Sequence, residues 1–318
     1  MARKEPALLA PRQCLPSPRL VPAYTTRHGR AYQGDALDVL RRLPAESVAL
    51  VLTSPPFALQ RKKAYGNVTA AEYVDWFWPF AEEIHRVLRP DGSFVLELGG
   101  GWNPGSPTRS LYQYDLVLRL CNLFHLAQDF YWYNPSRLPT PAEWVTIRRT
   151  RVKDAVNVIW WLSKSENPQA DNRRVLRPYS RSMRRLLKDG YKAARRPSQH
   201  DIGPHFRRDN GGAIPPNLLT VPNTRSHDEY LHRCRAAGVQ IHPARFPREV
   251  PEFFIRFLTE SRQLVLDPFA GSNVTGQVAE MLDRSWVSIE INADYVAGSM
   301  LRFPEAAPSS ARPGSAAG

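Results

Sequence analysis

At 318 residues and 42% hydrophobic content, the chain can bury one large core and carry a smaller appended region besides. Its formal charge of +13 asks for a polyanionic partner, nucleic acid ahead of membrane. Cys14, Cys121 and Cys234 have neither paired nor metal-ligand spacing, and no window approaches the roughly 18 consecutive apolar residues of a membrane span, so the cysteines argue against a disulfide framework and a zinc site, and a soluble cytoplasmic protein is expected.

Residues 1–20 are Pro-rich and aperiodic, and 304–318 are mainly Pro, Ala, Ser and Gly, so both ends read as disordered arms. Next come a short strand over 31–34 and a short helix over 35–42 (DALDVLRR). The run 48–53 (VALVLT) reads as a buried strand that ends in Ser54-Pro55-Pro56. Thr69 followed by Glu72 has capping-box spacing, and Tyr73, Val74, Phe77, Phe80, Ala81, Ile84, Val87 and Leu88 continue with a helical period. Pro90-Asp91-Gly92 should stop that helix, with a strand over 93–98 (SFVLEL) and two more over 126–133 and 155–162.

From Arg173 to Arg208 the rhythm breaks, and twelve Arg and Lys face only Asp189 and Asp201. An arginine-rich proteome would spread its charge along the chain, whereas this block concentrates it, as a phosphate-contacting surface would. Leu176, Tyr179, Met183, Leu186, Leu187 and Tyr191 give the block something to pack with. The earlier pattern then resumes. Val250, Phe253, Phe254, Phe257 and Leu258 mark a helix face, 263–267 a strand, 273–283 a helix, 286–291 a strand and 292–303 a last helix. Such alternation predicts an α/β fold with a mostly parallel sheet, built from halves at 21–164 and 239–303 around a basic region at 165–238.

Two constellations carry chemistry. In LVLDPFAGSNVTG an apolar strand ends in Asp267, and a tight turn with Gly271 and Ser272 leads into a helix. Glu290 ends the next strand, 19 residues after Gly271, where nucleotide-type folds place the acid that takes ribose hydroxyls. A single turn glycine implies no pyrophosphate cradle, and Asp267 suits a cationic methionyl amine, so S-adenosylmethionine fits better than NAD. The second constellation is Thr53-Ser54-Pro55-Pro56-Phe57 at a strand's C-terminal end. Two prolines fix φ and remove two N–H donors, leaving carbonyl oxygens and one hydroxyl to accept from an amino group. An exocyclic base amine is a poor nucleophile, and acceptors at fixed positions favour a pyramidal nitrogen aimed at a methyl donor. Phe57 offers a face for a base extruded from the helix.

Together these blocks resemble the DNA amino-methyltransferases of restriction–modification systems. Ser54-Pro55-Pro56-Phe57 resembles their catalytic [DNS]-P-P-[FYW] motif, and Asp267–Gly276 their D-P-F-x-G-S-G-T-T cofactor motif. The order, catalytic motif first, resembles the beta class, whose Rossmann-like sheet is circularly permuted. Gln33-Gly34-Asp35-Ala36-Leu37 resembles the segment whose acid approaches the cofactor adenine. His242-Pro243-Ala244-Arg245-Phe246-Pro247 resembles the segment that shapes the methionine pocket. By this resemblance Ser54, Pro55, Pro56 and Phe57 are catalytic. Asp35, Pro243, Phe246, Asp267, Phe269, Ala270, Gly271, Ser272, Asn273, Thr275 and Glu290 hold S-adenosyl-L-methionine. Asn273-Val274-Thr275 departs from the usual G-T-T, although Asn tolerates left-handed backbone angles.

The basic region occupies the target-recognition slot, with Arg181, Arg184, Arg185, Lys188, Arg195 and Arg196 as DNA-contacting candidates, most of them on phosphates. Lys62 and Lys63 could flank the DNA or sit in a solvated loop. His200, His205, His227 and His232 are irregularly spaced and read as surface histidines, not metal ligands. Ser before Pro-Pro favours the N4 amine of cytosine in double-stranded DNA. Adenine-N6 transfer, a protein or RNA acceptor, and a non-catalytic DNA-binding protein on the same fold are the alternatives. A separately acting restriction endonuclease is the partner the resemblance suggests, and oligomeric state is left open.

Overall fold

The computed structural model describes residues 20–58, 68–190, 208–223 and 229–308. Strands β1 (Tyr24–Thr25), β2 (Gly29–Gln33), β3 (Val48–Thr53), β4 (Leu88–Leu98) and β5 (His125–Tyr133) precede β6 (Val156–Ser163), β7 (Leu218–Thr220), β8 (Leu264–Asp267), β9 (Ser285–Glu290) and β10 (Ala307–Pro308). They form one sheet in the order β10-β1-β2-β9-β8-β3-β4-β6-β5-β7. The central run from β2 to β4 is parallel, as the alternation of strands and helices predicts.

Every residue of β3 is buried, as a continuous apolar run covered on both faces should be. Alternate side chains enter opposite layers. Val51, Phe94, Leu96, Leu266 and Val287 pack under helices α1 (Ala36–Leu40), α2 (Tyr73–Val87) and α3 (Tyr112–Leu120). The basic region carries α4 (Arg181–Asp189) and α5 (Glu229–Ala236). Leu50, Leu52, Val95, Val265 and Trp286 pack under α6 (Glu249–Leu258), α7 (Val274–Met281) and α8 (Ala293–Met300).

β8 and β9 come last among the central strands yet lie between β2 and β3. From β3 the chain crosses through α2 to β4 on one side, and from β8 through α7 to β9 on the other. Connections therefore diverge where β3 and β8 pair, and the crevice beyond their C-terminal ends is where such sheets bind ligands.

Several elements differ from the sequence expectation. Helix α2 starts at Tyr73, and the Thr69 hydroxyl bonds the Glu72 carboxylate at 2.7 Å, so the two side chains satisfy each other instead of capping backbone N–H groups. Pro90-Asp91-Gly92 lies inside β4, because the helix already ends at Val87. Within the tail expected to be disordered, Ala307–Pro308 pairs antiparallel with β1, covering an otherwise open sheet edge. The arms at 1–19 and 309–318 lie outside the described residues. The basic region contributes β7 to the sheet alongside β5, and α5 buries Tyr230, Leu231 and Cys234 against Ile241 and Leu301.

Asn273 adopts φ 55° and ψ 45°, caps α7 by accepting from the Gly276 N–H at 3.0 Å, and donates to the Tyr24 hydroxyl at 2.9 Å. The left-handed backbone tolerated by Asn is thus used for a helix cap. Asn273→Ala should lower unfolding free energy by about 2–3 kcal/mol, losing the cap and straining the backbone, whereas Asn273→Gly should lose roughly half of that. Chemical denaturation of both variants measures the difference.

Candidate active site

Asp267, at the tip of β8, is the hub. It is fully buried and its carboxylate accepts from Thr53 Oγ1 at 2.7 Å, Thr275 Oγ1 at 2.7 Å and the Phe269 N–H at 3.1 Å. All three donors are neutral, so burial dominates and pushes its pKa up to about 6. A desolvated carboxylate held only by neutral donors gains strongly from any cation placed beside it.

The turn after Asp267 is closed by Glu290, whose two oxygens accept from the Gly271 N–H and the Asn292 N–H, each at 2.9 Å. Burial raises its pKa as well. The Ala270 N–H bonds the Ile289 carbonyl, which seats the turn on the end of β9. Gly271 has φ 51°, and a Cβ there would meet the His242 ring at 3.0 Å, so the glycine lets the 242–247 segment close over the turn. His242 stacks edge-on against Tyr295. Asp35 follows β2, neighbour to β9, and caps α1 with one carboxylate oxygen through the N–H groups of Leu37 and Asp38. Asp35, Asp267, Gly271 and Glu290 therefore share one edge of three adjacent parallel strands.

The side chains of the other predicted cofactor residues make contacts within the protein. The Ser272 hydroxyl and carbonyl both accept from Arg302, a buried cation that also lies over the Tyr230 ring, so Ser272 locks the helix layer. Phe269 packs among Trp76, Phe77 and Phe80. Phe246 rests against Trp132, and Pro243 is exposed. The side chain of Asn273 is spent on its cap, and that of Thr275 on Asp267.

Across the crevice, Ser54 leaves β3 and donates its hydroxyl to Glu97 Oε2 at 2.6 Å, while Asn157 Nδ2 donates to Glu97 Oε1 at 2.6 Å. Glu97 lies fully buried near the end of β4, and desolvation raises its pKa to about 7 against the hydrogen bonds and the charge of Arg137. This relay was missed in the sequence, although an acid in the otherwise apolar run SFVLEL was a legible signal. Pro55 is buried, and the Pro56 carbonyl accepts from Tyr73 at 2.8 Å, so that oxygen braces the loop. Phe57 lies against Gly99, where a Cβ would meet its ring at 2.4 Å, and Tyr112 donates to the Gly99 carbonyl. The glycines after β4 thus make room for the aromatic ring that follows Pro56.

Arg181, Arg184, Arg185 and Lys188 form one exposed stripe on α4, at helical spacing, while Met183, Leu186 and Leu187 are half-buried on the other face. No described carboxylate pairs with any of the four. Arg195, Arg196, Lys62, Lys63, His200, His205 and His227 lie outside the described residues. Among the described helices none is long and apolar enough to cross a membrane.

A model of the DNA methylase family matches residues 48–301. Type II methyltransferase M.PvuII of Proteus hauseri is 54% identical over 287 residues, covering 89% of this chain and 85% of that protein. The solved PvuII DNA methyltransferase, a cytosine-N4-specific enzyme by its description, superposes with a TM-score of 0.74 at 47% identity over 90% of this chain and 89% of its own. A candidate DNA modification methylase from Thermus thermophilus, complexed with S-adenosyl-L-methionine, shares the fold at a TM-score of 0.54 and 20% identity, over 86% of this chain and 92% of its own. The sheet is the Rossmann-like methyltransferase sheet in its permuted order.

Raising the Glu97 pKa from 4.5 to about 7 makes its ionisation in the folded state cost about 3 kcal/mol. The unfolded chain releases this proton first, so wild-type stability should fall as pH rises through roughly 4.5–7. Glu97→Gln removes that dependence. Its unfolding free energy relative to wild type should climb from pH 5 to pH 8, by up to about 3 kcal/mol, in urea titrations at both values.

Proposed function

This chain belongs to the DNA methylase family, and we propose that it transfers a methyl group from S-adenosyl-L-methionine to the N4 amine of cytosine in double-stranded DNA. The observation that carries the proposal is the Ser54–Glu97–Asn157 relay, set one strand away from the buried Asp267. The solved relative at 47% identity is named for cytosine-N4 specificity.

The residues at the crevice fit the donor. Asp267, buried among neutral donors, suits the methionyl ammonium. Glu290 and Asp35, on neighbouring strand ends, suit the ribose hydroxyls and the adenine amine, with oxygen lone pairs left over from their backbone bonds. The approach to the Gly271 turn is free of a side chain beneath His242. Ala270 lies in that turn, and Phe269 packs behind it among Trp76, Phe77 and Phe80. Bound S-adenosylmethionine supplies an electrophilic methyl group and leaves as a thioether.

The chain supplies positioning and a proton path. The Ser54 hydroxyl donates to Glu97, so its oxygen lone pairs remain to accept from the cytosine amine. As the amine nitrogen bonds carbon it must lose a proton, which passes to Ser54 Oγ while the Ser54 proton passes to Glu97 Oε2. A carboxylate with a pKa near 7 is matched to that task. Asn157 holds the far oxygen, so Glu97 cannot turn away from Ser54. Phe57 offers its ring to the extruded base.

Phosphate contact and site reading belong, in this proposal, to the 165–238 region, with the α4 stripe on the backbone. A cognate restriction endonuclease, acting separately in the same cytoplasm, is the partner this reading expects.

Nucleoside mass spectrometry of DNA from cells expressing the chain should show N4-methylcytosine, absent with Ser54→Ala. N6-methyladenine instead would overturn the base assignment. In vitro, Ser54→Ala should lower kcat by about 10²-fold with DNA affinity unchanged. Wild-type kcat should fall as pH drops through about 7, because protonated Glu97 cannot take the proton, and Glu97→Gln should abolish that limb. Asp267→Ala should weaken cofactor binding first, measured by calorimetry.

A further inference from the structure

Between β5 and β6 the chain makes a loop, residues 134–155, at the edge of the sheet where Ser54 and Glu97 lie. β5 runs alongside β4 through the antiparallel β6, so Tyr133 and its partner Val156 open at that edge. Asn157, which holds Glu97, is two residues past the loop. The charge of Arg137, inside it, reaches the Glu97 carboxylate.

This loop is rigidly built. Trp144 is buried at its centre, and its carbonyl accepts from the N–H groups of Thr150 and Arg151. Arg148 lies 4.9 Å over the Trp144 ring and pairs with Glu143. Asp154 bridges Arg151 at 3.0 Å and Arg109 at 3.1 Å. Arg109 in turn presses on Gly100, where a Cβ would meet its guanidinium at 2.0 Å. The loop root is thereby clamped to the glycine turn that follows Glu97.

What the rigid frame presents outward is unusual for a soluble surface. Leu138 is 73% exposed, Ile147 68% and Val152 86%. Beside them Arg149 and Lys153 pair with no described carboxylate, Lys153 donating to the Arg137 carbonyl at 3.2 Å, and Arg149 is held at φ 56°. Large apolar side chains interleaved with unpaired cations match an occupant that offers both phosphates and a stack of bases. The adjoining reaction centre needs a base out of its stack, and an apolar wedge can fill the gap that base leaves.

We infer that the 134–155 loop opens the duplex at the target base, with Ile147 and Val152 filling the space it vacates and Arg149 and Lys153 holding the flanking phosphates. The inference rests on the proposed methylation of a base in DNA.

The test compares single-turnover methylation of two duplexes carrying the site mapped from cellular DNA. In one the target base is paired, and in the other it faces an abasic position. Wild type should modify both. The full-length Ile147→Ala/Val152→Ala variant should lose about tenfold or more on the paired duplex and regain wild-type rate on the unpaired one. A variant that keeps full rate on the paired duplex, or loses equally on both, overturns the wedge. For the phosphate contact, Arg149→Asn, which keeps the left-handed backbone, should lower the slope of log K against log salt by about 0.9, and an unchanged slope removes Arg149 from the interface. Wild-type protein inactive on both duplexes sinks the methylation itself. An active wild type with an unselective variant sinks only the wedge.

Discussion

The hydrogen bond from Thr53 to Asp267 joins residues 214 positions apart and sets the distance at which two chemistries can meet. β3 and β8 pair in parallel at the centre of the sheet, so the loops that follow them leave from one edge, about 4.8 Å apart in the strand-to-strand direction. One loop begins with Ser54 and the other with the Gly271 turn. A slip of one residue of β3 in that pairing would turn Thr53 and the loop after it away from the crevice and cost Asp267 its donor from across the strand. The permuted chain order matters little beside this constraint, because the geometry depends on which strands are neighbours, not on which is synthesised first.

Two buried carboxylates flank that junction, and they serve opposite ends. Asp267 has its pKa raised to about 6 and Glu97 to about 7, both chiefly by burial. Each is held by hydrogen bonds from neutral groups, which keep the geometry fixed without neutralising the charge. Asp267 can regain its lost solvation from a bound cation. Glu97 regains it by accepting a proton. The fold therefore holds two ionisable groups in states that cost it stability, and the proposed reaction would draw on both.

The sheet was legible in the sequence because its central strands are apolar runs with sharp ends: VALVLT stops at Ser54-Pro55-Pro56, and LVL stops at Asp267. The two motifs at those ends were legible for the same reason. What escaped was chemistry carried by long-range pairing. Nothing local says that Glu97 lies one strand from Ser54, or that Asn157, on a strand of reversed direction, reaches the same carboxylate. The contact that holds the Ser272 side chain escaped for a related reason. Its motif position suggests the ligand, but Arg302, 30 residues on, claims both its oxygens from the other side. The two-residue strands β1 and β10 are too short for any periodicity and exist only because they pair with each other and with β2.

Charge shows most clearly why composition alone underdetermines an interface. The block from Arg173 to Arg208 carries most of the chain's excess, yet its cations are not equivalent. Arg173 is bound to Asp171 within its own segment, whereas Arg174 reaches Glu260 and the Thr259 carbonyl and fastens the segment to the domain. Arg302, far from the block, is buried inside the helix layer. Among the described residues, the α4 stripe and Arg149 and Lys153 of the 134–155 loop are cations that folding leaves without a carboxylate partner. Counterion release depends on that unpaired subset, because a cation already neutralised by a carboxylate releases little when it meets DNA. The net charge of +13 points to a polyanionic partner, whereas the pattern of ion pairs picks out which cations could meet it.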